Sequence, residues 1–85
     1  MPVYMAMYKY LDEGVHGEVL DFPGAITWGR DLEEARRLLA SALVDMAETT
    51  LLRGEPLPQP DPDISNPDAD LEELISIWRP NASGT

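Results

Sequence analysis

Residues 22–60 read FPGAITWGRDLEEARRLLASALVDMAETTLLRGEPLPQP, and the architecture of the chain follows from this stretch. Asp31 is a typical helix N-cap residue, and Glu34 follows it at capping-box spacing. Apolar residues then recur every three or four positions, which is typical of an amphipathic helix. Gly54 ends the pattern, because glycine favours the left-handed position after a helix and the prolines beyond it prevent continuation. The sequence therefore predicts one long helix over residues 31–53.

Three strands are predicted before this helix. Residues 3–11 combine β-branched, aromatic and polar side chains in alternation, and residues 15–22 form a second run of the same kind. The turn between them contains Gly14, so the two strands read as a hairpin. After a Pro-Gly break, residues 25–28 form a short third strand. An antiparallel meander is therefore expected.

The C-terminal part differs in composition. Five prolines occur within residues 56–67, which excludes a helix or a central strand there. We expect a core over residues 1–58, an acidic Pro-rich linker over 59–73, a strand over 74–79 and a frayed tail over 80–85. The alternative for residues 68–79 is a short helix that Asp68 or Asp70 would cap and that would continue through Glu72 and Glu73. The predicted class is α+β, with element order β-β-β-α-β.

Length and composition exclude several protein classes. The chain has 85 residues, which is enough for a single domain, and it contains no cysteine for disulfides or thiolate metal sites. No apolar run is long enough to span a membrane, and the N-terminus lacks the pattern of a secretion signal. We expect a cytoplasmic protein. A domain this small gains buried apolar area by self-association, so a homo-oligomer (dimer or tetramer) is also expected.

The charge is strongly acidic. Sixteen acids and six bases give a net charge of −10, and half of this net charge lies in residues 61–85. Nucleic-acid binding by a monomer is disfavoured, because such binding depends on bases that neutralise phosphates. The acidic run is either a solvated linker or an electrostatic attraction for a basic partner.

Catalytic motifs are nearly absent. His16 is the single histidine, and no nucleophile elbow or glycine-rich phosphate loop occurs. Asp12, Asp21 and Asp45 are the candidates for an alternative reading as a metal-dependent nuclease, but each also suits a turn or a solvated surface. We predict that the protein is not an enzyme and uses no cofactor or metal.

Candidate binding residues come from exposed chemistry rather than from a catalytic pattern. Tryptophan is favoured at interface hot spots, and acids attract basic partners. The predicted partner-binding residues are Trp28, Arg30, Asp61, Asp63, Asp68, Asp70, Glu72 and Glu73. The predicted oligomer interface comprises Leu74, Ile75, Ile77 and Trp78.

The order and spacing of these features resemble the HicB antitoxin family over about residues 3–60. The matching residues are Pro23, Gly24, Gly29, Glu33, Glu34, Ala35, Gly54, Pro56, Pro58 and Pro60. The chain departs from the family pattern after Gly29, where Arg30 and Asp31 stand in place of an acid followed by Ser or Thr. Asp31 caps a helix as well as Ser or Thr does, so the fold is unaffected.

The resemblance implies a partial RNase H-like fold without nuclease activity. It also implies an inhibitor of a small basic HicA-type toxin that cleaves mRNA. Longer relatives add a C-terminal DNA-binding domain, whereas here only Arg79 supplies a base in the last 25 residues, so operator binding is not expected. The alternative is an orphan HicB-like module that self-assembles or regulates without a toxin.

Overall fold

The computed structural model describes residues 2–77, and it confirms the predicted α+β class and element order. Five elements follow one another: β1 (Val3–Leu11), β2 (Gly14–Val19), β3 (Ile26–Gly29), α1 (Leu32–Leu52) and β4 (Leu71–Ser76). The four strands form one sheet in the order β3-β2-β1-β4, and every neighbouring pair is antiparallel. The first three strands form the predicted meander, while β4 returns from the C-terminal side to pair with β1.

Helix α1 packs on one face of the sheet, mainly against β2 and β3. The core between them is apolar. The buried cluster comprises Tyr4, Ala6, Tyr8, Val15, Val19, Phe22, Ala25, Ala35, Leu39, Leu43 and Ala47. The rings of Tyr4 and Phe22 meet edge to face with centroids 5.4 Å apart. At roughly 25 cal/mol per Å² of buried apolar surface, these side chains are the main source of stability.

The helix begins and ends as the sequence predicts. The Asp31 carboxylate accepts a hydrogen bond from the Glu34 backbone N–H at 2.8 Å, and the Glu34 carboxylate accepts one from the Arg30 N–H at 2.8 Å. Arg53 is the C-cap residue, and Gly54 adopts a φ of 76° beyond it. These contacts satisfy backbone groups that a helix end otherwise leaves unpaired.

Gly29 explains why helix and sheet approach so closely. A Cβ atom at this position would lie 2.5 Å from the backbone nitrogen of Ala35 and 2.9 Å from its Cα. A larger residue would therefore push the first turn of α1 away from β3. Gly24 serves a different purpose, because its φ of 96° allows the turn between β2 and β3.

The linker that joins α1 to β4 runs over residues 55–70, and hydrogen bonds hold it in place. Tyr4 Oη donates to the Pro58 carbonyl at 2.8 Å, and the Asp61 N–H donates to the Asp21 carboxylate at 2.9 Å. Leu57 packs against the core. Each contact joins residues far apart in sequence, so the linker is part of the folded domain.

The bounds of three strands, β2, β3 and β4, differ from the prediction. β2 ends at Val19 instead of residue 22, because a turn closed by the bond from Val19 N–H to the Ala25 carbonyl follows it. β3 covers Ile26–Gly29 rather than residues 25–28.

The predicted strand over 74–79 is corrected to Leu71–Ser76. Pairing with β1 already begins where the Asp70 N–H donates to the Tyr8 carbonyl at 2.9 Å. The sequence predicts that Glu72 and Glu73 belong to the linker, but in the structure their side chains lie on opposite faces of β4. The predictions for residues 78–85 lie outside the described residues.

Candidate interaction surface

Within residues 2–77, no helix covers the sheet face opposite α1. Register determines which side chains lie there, because directly paired residues on neighbouring strands share a face. Since Tyr4, Ala6 and Tyr8 face the core, the odd-numbered residues of β1 lie on the other side. This open face carries Val3, Met5, Met7, Lys9, Leu11, His16, Glu18, Ile26, Trp28, Glu72 and Leu74.

The linker crosses the middle of the open face and divides it. Ser65 Oγ and the Asn66 N–H donate to the Glu72 carboxylate at 3.1 and 2.7 Å. Lys9 Nζ donates to the Asp68 carbonyl at 2.9 Å. Met7 is only 3% exposed although it lies on this face. Two exposed apolar margins therefore remain, one along β3 and one along β4.

The β3 margin contains Trp28, the first of the predicted partner-binding residues. Trp28 is 47% exposed and Ile26 is 55% exposed, and both lie on the open face. The Trp28 ring lies over Gly14, where an added Cβ would sit 2.4 Å from a ring carbon. A side chain at position 14 would therefore collide with the Trp28 ring.

Arg30 lies apart from the open face, at the start of α1. Its guanidinium donates to the Glu34 carboxylate with Nη2–Oε2 and Nε–Oε1 distances of 3.0 and 3.2 Å. This hydrogen bonding is the main reason that the pKa of Glu34 is lowered and the pKa of Arg30 is raised. Arg30 therefore stabilises the helix start, and the structure does not bring it together with the acidic linker.

The β4 margin is also a free sheet edge. The Leu20 N–H donates to the Met5 carbonyl at 2.9 Å, so the odd residues of β1 bond to β2 and its even residues bond to β4. In β4, residues 71, 73 and 75 are the partners of these even residues. The backbone N–H and C=O groups of Glu72 and Leu74 therefore point away from the sheet. Within residues 2–77, no backbone group forms a hydrogen bond with them.

An apolar hollow of about 420 Å³ adjoins this edge. It lies where β1 begins, the linker passes and β4 ends. Its lining comprises Val3, Tyr4, Met5, Asp21, Pro60, Asp61, Pro62 and Leu74. Leu74 belongs to both features, since it stands on the edge strand with 68% of its surface exposed and also borders the hollow. Sequence reasoning missed this hollow, because residues far apart in the chain form it.

The predicted acidic residues fall into two groups. Glu73 lies on the helix side of β4, where both carboxylate oxygens accept hydrogen bonds from Arg36 at 2.8 and 2.9 Å. The others lie along the linker and on the outer half of β4. Across residues 2–77, no ion pair is recorded for Asp61, Asp63, Asp68, Asp70 or Glu72. These five carboxylates, on the linker and on β4, therefore have no compensating ion pair among the described residues.

Several of these acids also hold the linker backbone. Asp61 accepts from the Asp63 N–H at 3.0 Å, and Asp70 accepts from the Tyr10 N–H at 2.7 Å. Asp63 and Asp68 form their hydrogen bonds through backbone atoms, namely the two N–H groups and the Asp68 carbonyl. Substituting these two carboxylates therefore removes charge without breaking a hydrogen bond of the linker.

The predicted oligomer residues do not form one surface. Leu74 points outward on the open face, whereas Ile75 and Ile77 pack against the core on the helix side. Trp78 lies outside the described residues. Of this set, Leu74 is the described side chain that presents a large exposed apolar surface.

The acids of the alternative nuclease reading are also separated. Asp12 lies in the turn between β1 and β2, and Asp21 follows β2 at the other end of that hairpin. Asp21 instead accepts from the Met5 and Asp61 N–H groups. Asp45 is exposed on α1. Within residues 2–77, no group of three His, Cys, Asp or Glu residues could hold a metal ion.

His16 is half-buried on the open face and lies 2.9 Å from the Glu18 carboxylate through Nε2. In the part of the chain described, no helix is long and apolar enough to cross a membrane.

Comparison with solved structures shows the same fold in two antitoxin-related chains. A chain of the HicA3 and HicB3 toxin-antitoxin complex matches with a TM-score of 0.71 at 21% identity, covering 91% of this chain and 99% of that one. The N-terminal domain of Burkholderia pseudomallei antitoxin HicB matches with a TM-score of 0.70 at 19% identity, with the same two coverages. No family model and no curated protein matches the sequence. The resemblance to HicB is thus confirmed at the level of the fold.

Proposed function

We propose that this protein is a non-catalytic antitoxin that binds and neutralises a small basic HicA-type toxin that cleaves mRNA. The observation that carries the proposal is the fold shared with a chain of a toxin-antitoxin complex over 91% of this chain. The acidic charge supports it, because a net charge of −10 attracts and orients a cationic protein. The cytoplasm, where mRNA is translated, is the corresponding location.

The electrostatic part of the proposal rests on the acids that have no ion pair among the described residues. They all belong to the linker or to β4, so the uncompensated charge is concentrated in one segment of the domain. Trp28 and Arg30 remain candidate contacts elsewhere on the domain. The alanine variant of each residue tests this role by its effect on the binding of the toxin.

The test uses the HicA-type toxin encoded beside this chain, expressed alone and together with it. The toxin alone should stop growth and cleave mRNA, and co-expression should restore growth. The two purified proteins should elute together at low salt and bind more weakly at high salt. Continued toxicity beside a soluble, folded antitoxin candidate, or the absence of any such toxin gene, would overturn the proposal.

A second candidate is an orphan module that self-assembles. The exposed apolar margins along β3 and β4 favour it, because two copies could bury them against each other. Sedimentation at micromolar concentration separates the two cases. A stable homo-oligomer without toxin binding supports the orphan module, and a monomer that binds toxin supports the antitoxin.

A further inference from the structure

We infer that the outer edge of β4, together with the adjoining hollow, binds an extended segment of a basic protein, which adds to the sheet as a fifth strand. The identity of this partner as the toxin rests on the proposed function. The mode of binding rests on three features of the β4 margin: a free backbone edge, an apolar hollow and a group of acids, called the rim. The rim comprises Asp61, Asp63, Asp68, Asp70 and Glu72.

The free edge supplies the hydrogen bonds. Glu72 and Leu74 direct their N–H and C=O groups outward, because the intervening residues of β4 bond to β1. A peptide added to such an edge forms main-chain bonds like those within the sheet. Natural proteins commonly block edge strands with prolines or inward-pointing charges, yet Leu74 at the centre of this edge is exposed and apolar.

The hollow supplies a site for one side chain. Its volume of about 420 Å³ is lined mainly by Val3, Met5, the prolines at 60 and 62, and Leu74. Side chains on the open side of an added strand would stand beside Leu74, which borders the hollow. An apolar residue of the incoming segment would then bury surface there, and alternate residues would remain free to carry charge.

The rim determines which partner fits. Residues 61–77 contain six acids and no base. Glu73 is paired with Arg36 on the helix side, which leaves the other five on or beside the edge. Lys9 reaches this region, where its Nζ contacts a backbone carbonyl of the linker. Lysine or arginine on the incoming strand would therefore be attracted, whereas a second copy would bring the same acids against this rim.

The first experiment needs no toxin. The wild-type protein is titrated with a short peptide that alternates lysine and valine, and amide signals are followed by NMR. The backbone amide signals of Glu72 and Leu74 should shift, and the shifts should weaken as salt is added. A matched peptide of glutamate and valine should leave them unchanged. No shift, or shifts confined to Ile26 and Trp28 on the other edge, would overturn the inference.

The second experiment uses the purified toxin and two variants at one position. Leu74→Pro removes the outward N–H while every bond to β1 is kept, and Leu74→Ala removes only the side chain. Proline should weaken toxin binding by at least about tenfold more than alanine does, which corresponds to the loss of one interface hydrogen bond. Circular dichroism and the urea midpoint check that both variants are folded.

The charge of the rim is tested separately. Asp63→Asn with Asp68→Asn removes two charges without losing a described contact, and Glu33→Gln with Asp45→Asn removes two charges from α1. The first pair should slow association and flatten its salt dependence more than the second pair does. Equal effects of the two pairs would overturn the role of the rim.

The results separate this inference from the proposed function. Toxin binding that Leu74→Pro leaves unchanged but Ile26→Pro abolishes would overturn the β4 inference and leave the antitoxin proposal standing. No toxin binding together with peptide shifts at β4 would overturn the antitoxin proposal and support the edge as a site for basic segments. Shifts at Leu74 that appear when the protein alone is concentrated would identify a second copy as the occupant and overturn the inference.

Discussion

Arg36 on α1 holds Glu73 on β4 in a two-pronged ion pair, with Nε–Oε2 and Nη2–Oε1 distances of 2.9 and 2.8 Å. This hydrogen bonding is the main cause of the raised pKa of Arg36. The pair joins the helix to the strand that arrives last in the chain. It also keeps Glu73 on the helix side, apart from the acids of the β4 margin.

We expect Glu73→Gln to lower the urea midpoint of unfolding at low salt, because glutamine cannot form the charged pair with Arg36. The effect should shrink in high salt, since ions screen an exposed pair. Arg37 is the matched control, because it reaches Glu34 only at 3.5 Å. Arg37→Gln should change the midpoint less than Glu73→Gln does. The reverse order would contradict a stabilising role of the ion pair between Arg36 and Glu73.

The raised pKa of the buried Tyr8 predicts that the domain loses stability at high pH. Its ring is 1% exposed, and burial is the main reason that its pKa rises to about 12, with Glu73 adding to the effect and Arg36 opposing it. The unfolded chain releases this proton near pH 10, whereas the folded chain retains it. The folded state therefore holds more protons between about pH 10 and 12, so the free energy of unfolding falls as pH rises through this window.

A shift of this size corresponds to a loss of about 2–3 kcal/mol across the window. Urea unfolding at a series of pH values measures it, and Tyr8→Phe provides the comparison because phenylalanine does not titrate. Tyr4 contributes in the same direction, since burial and then Asp21 raise its pKa. An unchanged pH profile in Tyr8→Phe would contradict the assignment to Tyr8.

Removing the helix cap should destabilise the domain. Asp31→Ala deletes the acceptor for the Glu34 N–H, and such changes cost about 1 kcal/mol. Asp31→Ser should retain most of the stability, because the serine hydroxyl can accept the same bond. Chemical denaturation of the three proteins measures the difference, and equal losses for alanine and serine would show that the cap bond is not the cause.

Gly29→Ala should cost more than an ordinary surface glycine substitution. Its new Cβ would meet the backbone of Ala35, which cannot move without shifting the helix, and overpacking of this kind costs about 1–3 kcal/mol. Gly54→Ala is the control, because its Cβ would have nothing within 4 Å and only the φ of 76° opposes it. Thermal or urea unfolding should show the larger loss at Gly29.

Local signals in the sequence were sufficient for the helix and the meander. The Asp31 cap, the three-to-four residue apolar period and Gly54 each act on neighbouring residues, and the structure has the helix within one residue of the predicted bounds. The same is true of the turn glycines. These features depend on hydrogen bonds and backbone angles within a few residues, so a linear reading contains the needed information.

The binding margin depended on tertiary structure. Glu72 and Glu73 are adjacent and identical in the sequence, but β4 sends them to opposite sides of the sheet, one toward the linker and one toward Arg36. Only the pairing with β1 sets that register and leaves Leu74 on a free edge. The physical reason is that strand register and loop path are set by contacts between residues some sixty positions apart. The composition of the chain indicated an acidic partner-binding protein, and the folding of its linker decided where the acids and the apolar hollow meet.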